Sequence, residues 1–162
     1  AGRWEVRKGE GTAIYHHPSA DVPRVRSQLG RSQCISKIDL KAGYFNVPMS
    51  PRSAKLTSFQ TTKGRFHWTR MAQGLQNAPA HFQQVMETVL EGLPVAILLD
   101  DVTTKDDDVE ANVDSAADAI IRLAEAGAMV GLYKGVVGAE EVEFMGDMWA
   151  AGGYWRPCVD KV

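Results

Sequence analysis

Val95-Ala96-Ile97-Leu98-Leu99, closed by Asp100-Asp101, is the stretch that decides the fold. A short apolar run opened by Pro94 reads as a buried strand. The two acids then turn the chain toward water, which predicts a tight hairpin into Val102-Thr103-Thr104. A second run, Cys34-Ile35-Ser36-Lys37-Ile38-Asp39-Leu40, has the same character and also carries an acid at its far end. A carboxylate at the end of an apolar strand is costly unless a cation holds it. Asp39, Asp100 and Asp101 are therefore candidate ligands for a hard cation such as Mg2+, which carboxylate oxygens hold well. Paired ions of this kind clamp the attacking and leaving oxygens in phosphoryl transfer.

Working outward, Lys55 to Thr62 and Arg65 to Thr69 read as a hairpin across Lys63-Gly64, with Phe59, Phe66 and Trp68 as its apolar side chains. Asn77-Ala78-Pro79 opens a helix, with Asn77 as the expected cap and proline tolerated in the first turn. Phe82, Val85, Met86, Val89 and Leu90 form its stripe, and Gly92 marks its end. A second helix, about Asp108 to Ala126, is expected to bury Val109, Val113, Ala116, Ala117, Ile120 and Leu123 or Ala124, ending at Gly127. Asp106-Asp107-Asp108 reads as its solvated start, complementing the helix dipole, rather than as a metal site. Strands at Ala128 to Tyr133 and Glu141 to Met145 follow, then a hairpin from Trp149 to Trp155 around Gly152-Gly153. Residues 1–33 read as irregular, and residues 34–162 as an α+β unit with helices on one face of an antiparallel sheet.

The 162 residues suffice for one domain with its own core. A composition 44% hydrophobic and 23% charged excludes an intrinsically disordered chain. The longest apolar run, Leu93 to Leu99, is too short to span a bilayer, so no membrane partner is expected. Cys34 and Cys158 form neither a disulfide framework nor a metal-ligand spacing; both read as small buried residues in a reducing intracellular setting. The net charge of −2 hides an asymmetry. Residues 21–70 carry Arg24, Arg26, Arg31, Lys37, Lys41, Arg52, Lys55, Lys63, Arg65 and Arg70 against only Asp21 and Asp39. Such a basic half is the footprint of contact with a polyanion, or else a solvated face.

Five segments occur in order: Ser-Lys-Ile-Asp-Leu-Lys-Ala-Gly-Tyr-Phe (36–45), Arg-Met-Ala-Gln-Gly-Leu-Gln-Asn-Ala-Pro-Ala-His-Phe-Gln (70–83), Leu-Leu-Asp-Asp (98–101), Glu-Ala-Gly (125–127) and Val-Glu-Phe-Met-Gly (142–146). Together they resemble the fingers–palm core of reverse transcriptases, RNA-directed DNA polymerases, and are most similar to gypsy-type LTR retrotransposons and their retroviral relatives. The resemblance covers roughly residues 18–162. It implies a polymerase palm with a partial fingers subdomain in residues 1–33, and addition of deoxynucleotides to a primer 3′ end. By this resemblance Asp39, Asp100 and Asp101 are catalytic acids that hold two Mg2+ ions, with Mn2+ as a substitute, and the Leu40 carbonyl is a further ligand. Tyr44 would exclude a ribose 2′-hydroxyl, and Gln73 and Gly74 would line the nucleotide pocket. Lys134 would serve the departing pyrophosphate as a catalytic cation, and Phe144, Met145 and Gly146 would hold the primer terminus.

The pattern departs from the family at several positions. Leu98 stands where the family has tyrosine, and Gly131, Gly135 and Val136-Val137 replace more usual polar or aromatic residues. The fingers signature is not recognisable in residues 1–20, though Trp4 to Lys8 resembles a remnant, so Lys37, Lys41 and Arg65 are triphosphate-binding candidates by charge alone. Thumb, connection and ribonuclease H regions are expected elsewhere in a retroelement polyprotein. The implied partners are an RNA or DNA template with its primer and deoxynucleoside triphosphates, in the cytoplasm, a retroelement particle or the nucleus. Trp68, Trp149 and Trp155 would stack on bases or, more simply, fill the core. Two alternatives remain: a decayed palm remnant serving as a non-enzymatic nucleic-acid scaffold, and another palm-type enzyme such as a nucleotide cyclase.

Overall fold

The computed structural model describes residues 32–131, 133–144 and 146–158, so expectations placed on residues 1–31 and on Met145 lie outside the described residues. In chain order the elements are β1 (Cys34–Asp39), a 3-10 turn (Gly43–Asn46), α1 (Pro51–Leu56), β2 (Phe59–Thr61), β3 (Gly64–Phe66) and α2 (Ala78–Val89). They continue with β4 (Val95–Leu98), β5 (Asp101–Asp106), α3 (Val109–Glu125), β6 (Val136–Ala139), β7 (Glu141–Phe144), β8 (Asp147–Ala150) and β9 (Tyr154–Pro157). Among the described residues no helix is long and apolar enough to cross a membrane.

Both acid-tipped runs join one antiparallel sheet of order β4-β5-β1-β6. Side chains alternate across its faces. Ile38, Val102 and Ile97 point to one face, where they meet Phe82 and Met86 of α2 and Ala116, Ala119 and Leu123 of α3 in a single core. Helices therefore cover one face, as the α+β reading expects. The other face carries Ile35 and Ala96, which pack with Val142, Phe144 and Trp149 of a second sheet, β7-β8-β9. Ile35 and Ala96 lie toward the strand ends remote from the acids, so the second sheet covers that end.

The helix α3 corrects the expected apolar stripe. Val109, Val113, Ala117 and Ala124 are exposed, Ile120 is half-buried, and the fully buried face is Asn112, Ala116, Ala119 and Leu123. A polar network rotates the helix. Ser36 Oγ donates to Asn112 Oδ1, while Asn112 Nδ2 donates to Thr104 Oγ1 at 3.1 Å and to Asp106 Oδ2 at 3.1 Å. Gly138 N–H in turn donates to Ser36 Oγ at 2.9 Å. Burying an asparagine whose hydrogen bonds are made outweighs exposing two valines, because an unmet buried amide costs more than the valines gain. Asp108, the last of the three acids, is the N-cap, accepting from Ala111 N–H at 3.2 Å.

Further expectations are corrected. The start of the Lys55–Thr62 strand is helix α1 instead, because Ser50 caps it through Ser53 N–H at 3.2 Å and Pro51 occupies its first turn. The hairpin that follows is real, with Phe59 opposite Phe66, but it is shorter than expected and closes on Thr62-Lys63. The strand expected at Ala128–Tyr133 reduces to a bridge between Val130 and Leu40, and β6 at Val136–Ala139 takes the place beside β1. Asn77 sits at the N-cap of α2 without a side-chain capping bond, its φ of −94° and ψ of 1° lying outside the extended region such caps use. Cys34 is buried as expected, whereas Cys158 is only partly so.

Asn112→Leu should lower stability by about 2–3 kcal/mol, since it strands Ser36 and Thr104 without their partner. Val113→Ala, on the face expected to be buried, should cost less than about 1 kcal/mol. Urea unfolding of the two variants checks both; equal losses would mean the network does not set the helix face.

Candidate active site

The ladder between β1 and β5 places the acids. Asp39 stands directly opposite Asp101, two residues beyond the Lys37–Thr103 pair. Leu98 pairs with Asp101, so the β4–β5 hairpin closes on just two residues, Leu99 and Asp100. Leu99 adopts φ +53°, the left-handed region. Positive φ at the first of two turn residues is the sign pattern of a type II′ connection, a place glycine usually fills. The Asp100 carbonyl accepts from Leu40 N–H at 3.2 Å, which draws the turn against the end of β1.

A cleft of about 300 Å³ opens at this end, lined by Asp39, Leu40, Ala42, Gly43, Tyr44, Phe45, Gln73, Phe82, Asp100 and Lys134. It gathers six of the expected residues: Asp39, Leu40, Tyr44, Gln73, Asp100 and Lys134. Tyr44 packs edge-on against Phe82 with ring centroids 5.1 Å apart. Burial, and after it the negative charge of Asp100, holds the Tyr44 phenol above its ordinary pKa. The ring is thus a protonated, partly buried wall beside an acid.

Asp101 is not among the cleft-lining residues. Lys37 Nζ lies 3.2 Å from its carboxylate and also donates to the Glu143 carbonyl at 2.9 Å, tying the third acid to β7. Lys37, a triphosphate candidate by charge, is therefore engaged by the chain's own oxygens. Gly74 also lies outside the lining. Its glycine answers to φ +85° rather than to a close approach within the chain, for nothing lies within 4 Å of where its Cβ would stand. Phe144 is fully buried and its carbonyl accepts from Trp149 Nε1–H at 3.0 Å, so its ring faces the core, not a primer. Gly146 sits in the β7–β8 turn with φ +81°. Trp149 is buried, as the core reading expects, whereas Trp68 and Trp155 are exposed.

Two glycines that sequence reasoning did not assign to the site clear space around the acids. A Cβ on Gly131 would stand 3.1 Å from Asp39 Oδ2, and Gly131 N–H donates to the Asp39 carbonyl at 2.8 Å. A Cβ on Gly43 would stand 3.0 Å from Phe82 Cζ and 3.2 Å from Asp100 Cβ. Gly43 was legible as part of the 36–45 motif, while Gly131 read only as a departure. Among the described residues no three His, Cys, Asp or Glu side chains gather closely enough to hold a metal by themselves. The donor set still fits Mg2+, which is commonly held by one or two carboxylates and completed by substrate phosphate and water. Asp39 and Asp100 supply those carboxylates, and Leu40 lines the same cleft.

Residues 6–146 match the family model described as "Reverse transcriptase (RNA-dependent DNA polymerase)". The chain is 30% identical over 139 residues to Polyprotein P3 of Commelina yellow mottle virus, covering 85% of this chain and 7% of that protein. It is 29% identical over 133 residues to the retrovirus-related Pol polyprotein from transposon 297 of Drosophila melanogaster, covering 80% of this chain and 13% of the relative. A foamy viral protease-reverse transcriptase in complex with dsDNA superposes with a TM-score of 0.81 at 24% identity, over 92% of this chain and 31% of that one. The foamy viral protease-reverse transcriptase with an RNA/DNA hybrid gives a TM-score of 0.76 at 25% identity, over 84% and 19%. The chain thus spans a small part of the relatives it matches.

Asp100→Asn should lower the Tyr44 pKa while leaving it above the ordinary value, because the charge disappears and burial remains. A pH titration of the Tyr44 ring by NMR reads this directly. An unmoved Tyr44 would mean that the Asp100 charge does not reach the ring.

Proposed function

The chain belongs to the reverse transcriptase (RNA-dependent DNA polymerase) family, and on that premise we propose that it is the fingers–palm core of an RNA-directed DNA polymerase. It adds deoxynucleotides to a primer 3′ end as one segment of a retroelement polyprotein. The observation that carries this reading is the shared cleft: Asp39, Asp100, Tyr44, Gln73 and Lys134 line the same space, although they come from four separate stretches of sequence. Neither the fold nor the stability of the chain requires a tyrosine, a lysine and two acids to converge on one opening.

In this reading Asp39 and Asp100 would hold the divalent cations, with the Leu40 carbonyl as a further ligand. When bound, Mg2+ or Mn2+ lowers the pKa of the primer hydroxyl and neutralises charge on the transferring phosphate. Tyr44 offers a ring edge to the incoming sugar; its firm packing on Phe82 lets it reject the extra volume of a 2′-hydroxyl. Gln73, exposed at the rim, contacts the nucleotide through its amide. Lys134, also exposed at the rim, donates a proton from Nζ to the departing pyrophosphate or holds its charge. Asp101 acts beside the pair, held by Lys37. The foamy viral relatives, solved with dsDNA and with an RNA/DNA hybrid, support a primer–template as the partner. An intracellular setting, with Cys34 as a buried thiol, belongs to the same proposal.

Primer extension by the polyprotein that carries this segment tests the reading. Asp100→Asn should abolish extension, a loss of about 10³-fold or more, without unfolding the chain. Gly131→Ala should cost about 10–100-fold in rate, because its new methyl presses on the Asp39 carboxylate. Full activity in Asp100→Asn would sink the assignment and leave a non-catalytic nucleic-acid scaffold as the reading.

A further inference from the structure

The turn that carries Asp100 is held from beneath by a side chain outside the cleft. Gln83 lies on α2 between Phe82 and Met86, on the face that packs against β4, and is 2% exposed. A buried primary amide on an apolar face is costly unless its hydrogen-bonding groups are met. They are met at the hairpin. Gln83 Oε1 accepts from Leu99 N–H at 2.8 Å, and Nε2 donates to the Ile97 carbonyl at 3.0 Å. Nε2 also donates to Glu87 Oε1 at 3.0 Å, which anchors the amide one turn along its own helix.

These bonds bracket the strained residue. Leu99 is a non-glycine side chain at φ +53°, a conformation that persists only where the surroundings over-determine it. In a two-residue hairpin the amide of the first turn residue has no place in the ladder, because Leu98 and Asp101 close it. The Gln83 carbonyl gives that amide its acceptor. With Leu99 fixed from below and the Asp100 carbonyl drawn to Leu40 N–H from the side, the direction in which Asp100 leaves the turn is set.

We infer that Gln83 is a positioning residue for the Asp100 carboxylate: it locks the left-handed Leu99 turn so that the acid enters the cleft. The inference rests on the reading of Asp100 as a catalytic acid. Gln83 touches no substrate. Its requirement is for an acceptor and a donor at one fixed reach: asparagine is too short, glutamate loses the donor and faces Glu87, and methionine keeps the volume but makes neither bond.

Two measurements test the inference. On the present chain, hydrogen exchange at the Leu99 amide should quicken by about 10-fold or more in Gln83→Met, with the melting temperature recording any general loss of structure. In primer extension by the polyprotein, Gln83→Met should lower kcat by about 10–100-fold while the nucleotide KM stays within about threefold, since Tyr44, Gln73 and Lys134 are untouched. The deciding comparison is the same substitution in the Leu99→Gly background, where positive φ carries no Cβ penalty. There the kcat penalty of Gln83→Met should shrink to less than about threefold. An equal penalty in both backgrounds, a quickened Leu99 amide with unchanged kcat, or a rise in KM alone would overturn the inference. Retained extension in Asp100→Asn would instead overturn the polymerase reading, and the exchange result would then still report whether Gln83 holds the turn.

Discussion

The antiparallel register of β1 against β5 is the constraint on which everything else depends. With Ile38 opposite Val102 and Asp39 opposite Asp101, Ile38 and Val102 face α2 and α3 while Lys37, Asp39 and Asp101 face away from them. A slip of one residue would exchange the faces. Lys37 and Asp39 would then sit beneath two helices, where an unpaired charge is prohibitive. What resists the slip is polar as well as apolar: Ser36 and Thr104 are both fully buried, and both are satisfied by the same asparagine of α3. Asn112 is therefore a register key. It reads whether the two strands are correctly aligned, because only then do the two hydroxyls fall within its reach.

Once the register is set, the two sheet faces divide the work. The helical face is closed and densely packed, and it gives rigidity. The opposite face is covered by β7-β8-β9 over Ile35 and Ala96, and it opens where the strands end in acids. Small residues maintain that opening, since Gly43 and Gly131 stand where any Cβ would press on Phe82, Asp100 or Asp39. Lys37 joins the two halves of this face by bonding to Asp101 and to the Glu143 carbonyl together. Partly exposed, that ion pair adds little to stability. Its value lies in geometry, because it fixes the third acid relative to the hairpin of β7 and β8.

Much of this was legible in the chain because it is written in short-range patterns. Apolar runs stopped by acids mark β1 and β4, periodic stripes mark α2, and Gly152-Gly153 marks the last turn. The convergence of Asp39, Asp100, Tyr44, Gln73 and Lys134 was implied by five ordered motifs rather than by any single spacing. What could not be read depends on contacts across the sequence. Asn112 lies 76 residues from Ser36 along the sequence, so a periodicity that counts only apolar residues assigned α3 the wrong face. The burial of Phe144 and the bond from Lys37 to the Glu143 carbonyl likewise require knowing that β7 lies beside β1. Helix α1 is a different case: Ser50-Pro51 was a local signal, masked by the β-prone residues that follow it.

Leu98 is where these arguments meet. The similar polymerases carry tyrosine there, and the leucine loses a hydroxyl. In the fold, Leu98 is the cross-strand neighbour of Asp101 and packs beside Ile35 and Ala96 against the cluster formed with Val142, Phe144 and Trp149 of the second sheet. It thus extends that apolar core to the strand position beside Asp101. None of the residues that line the cleft is Leu98. On the proposed reading the substitution therefore falls outside the cleft, whose Tyr44, Gln73 and Lys134 it leaves in place. A change that leaves the lining of the cleft intact is compatible with a working polymerase. Loss of function by drift would have no reason to respect that boundary.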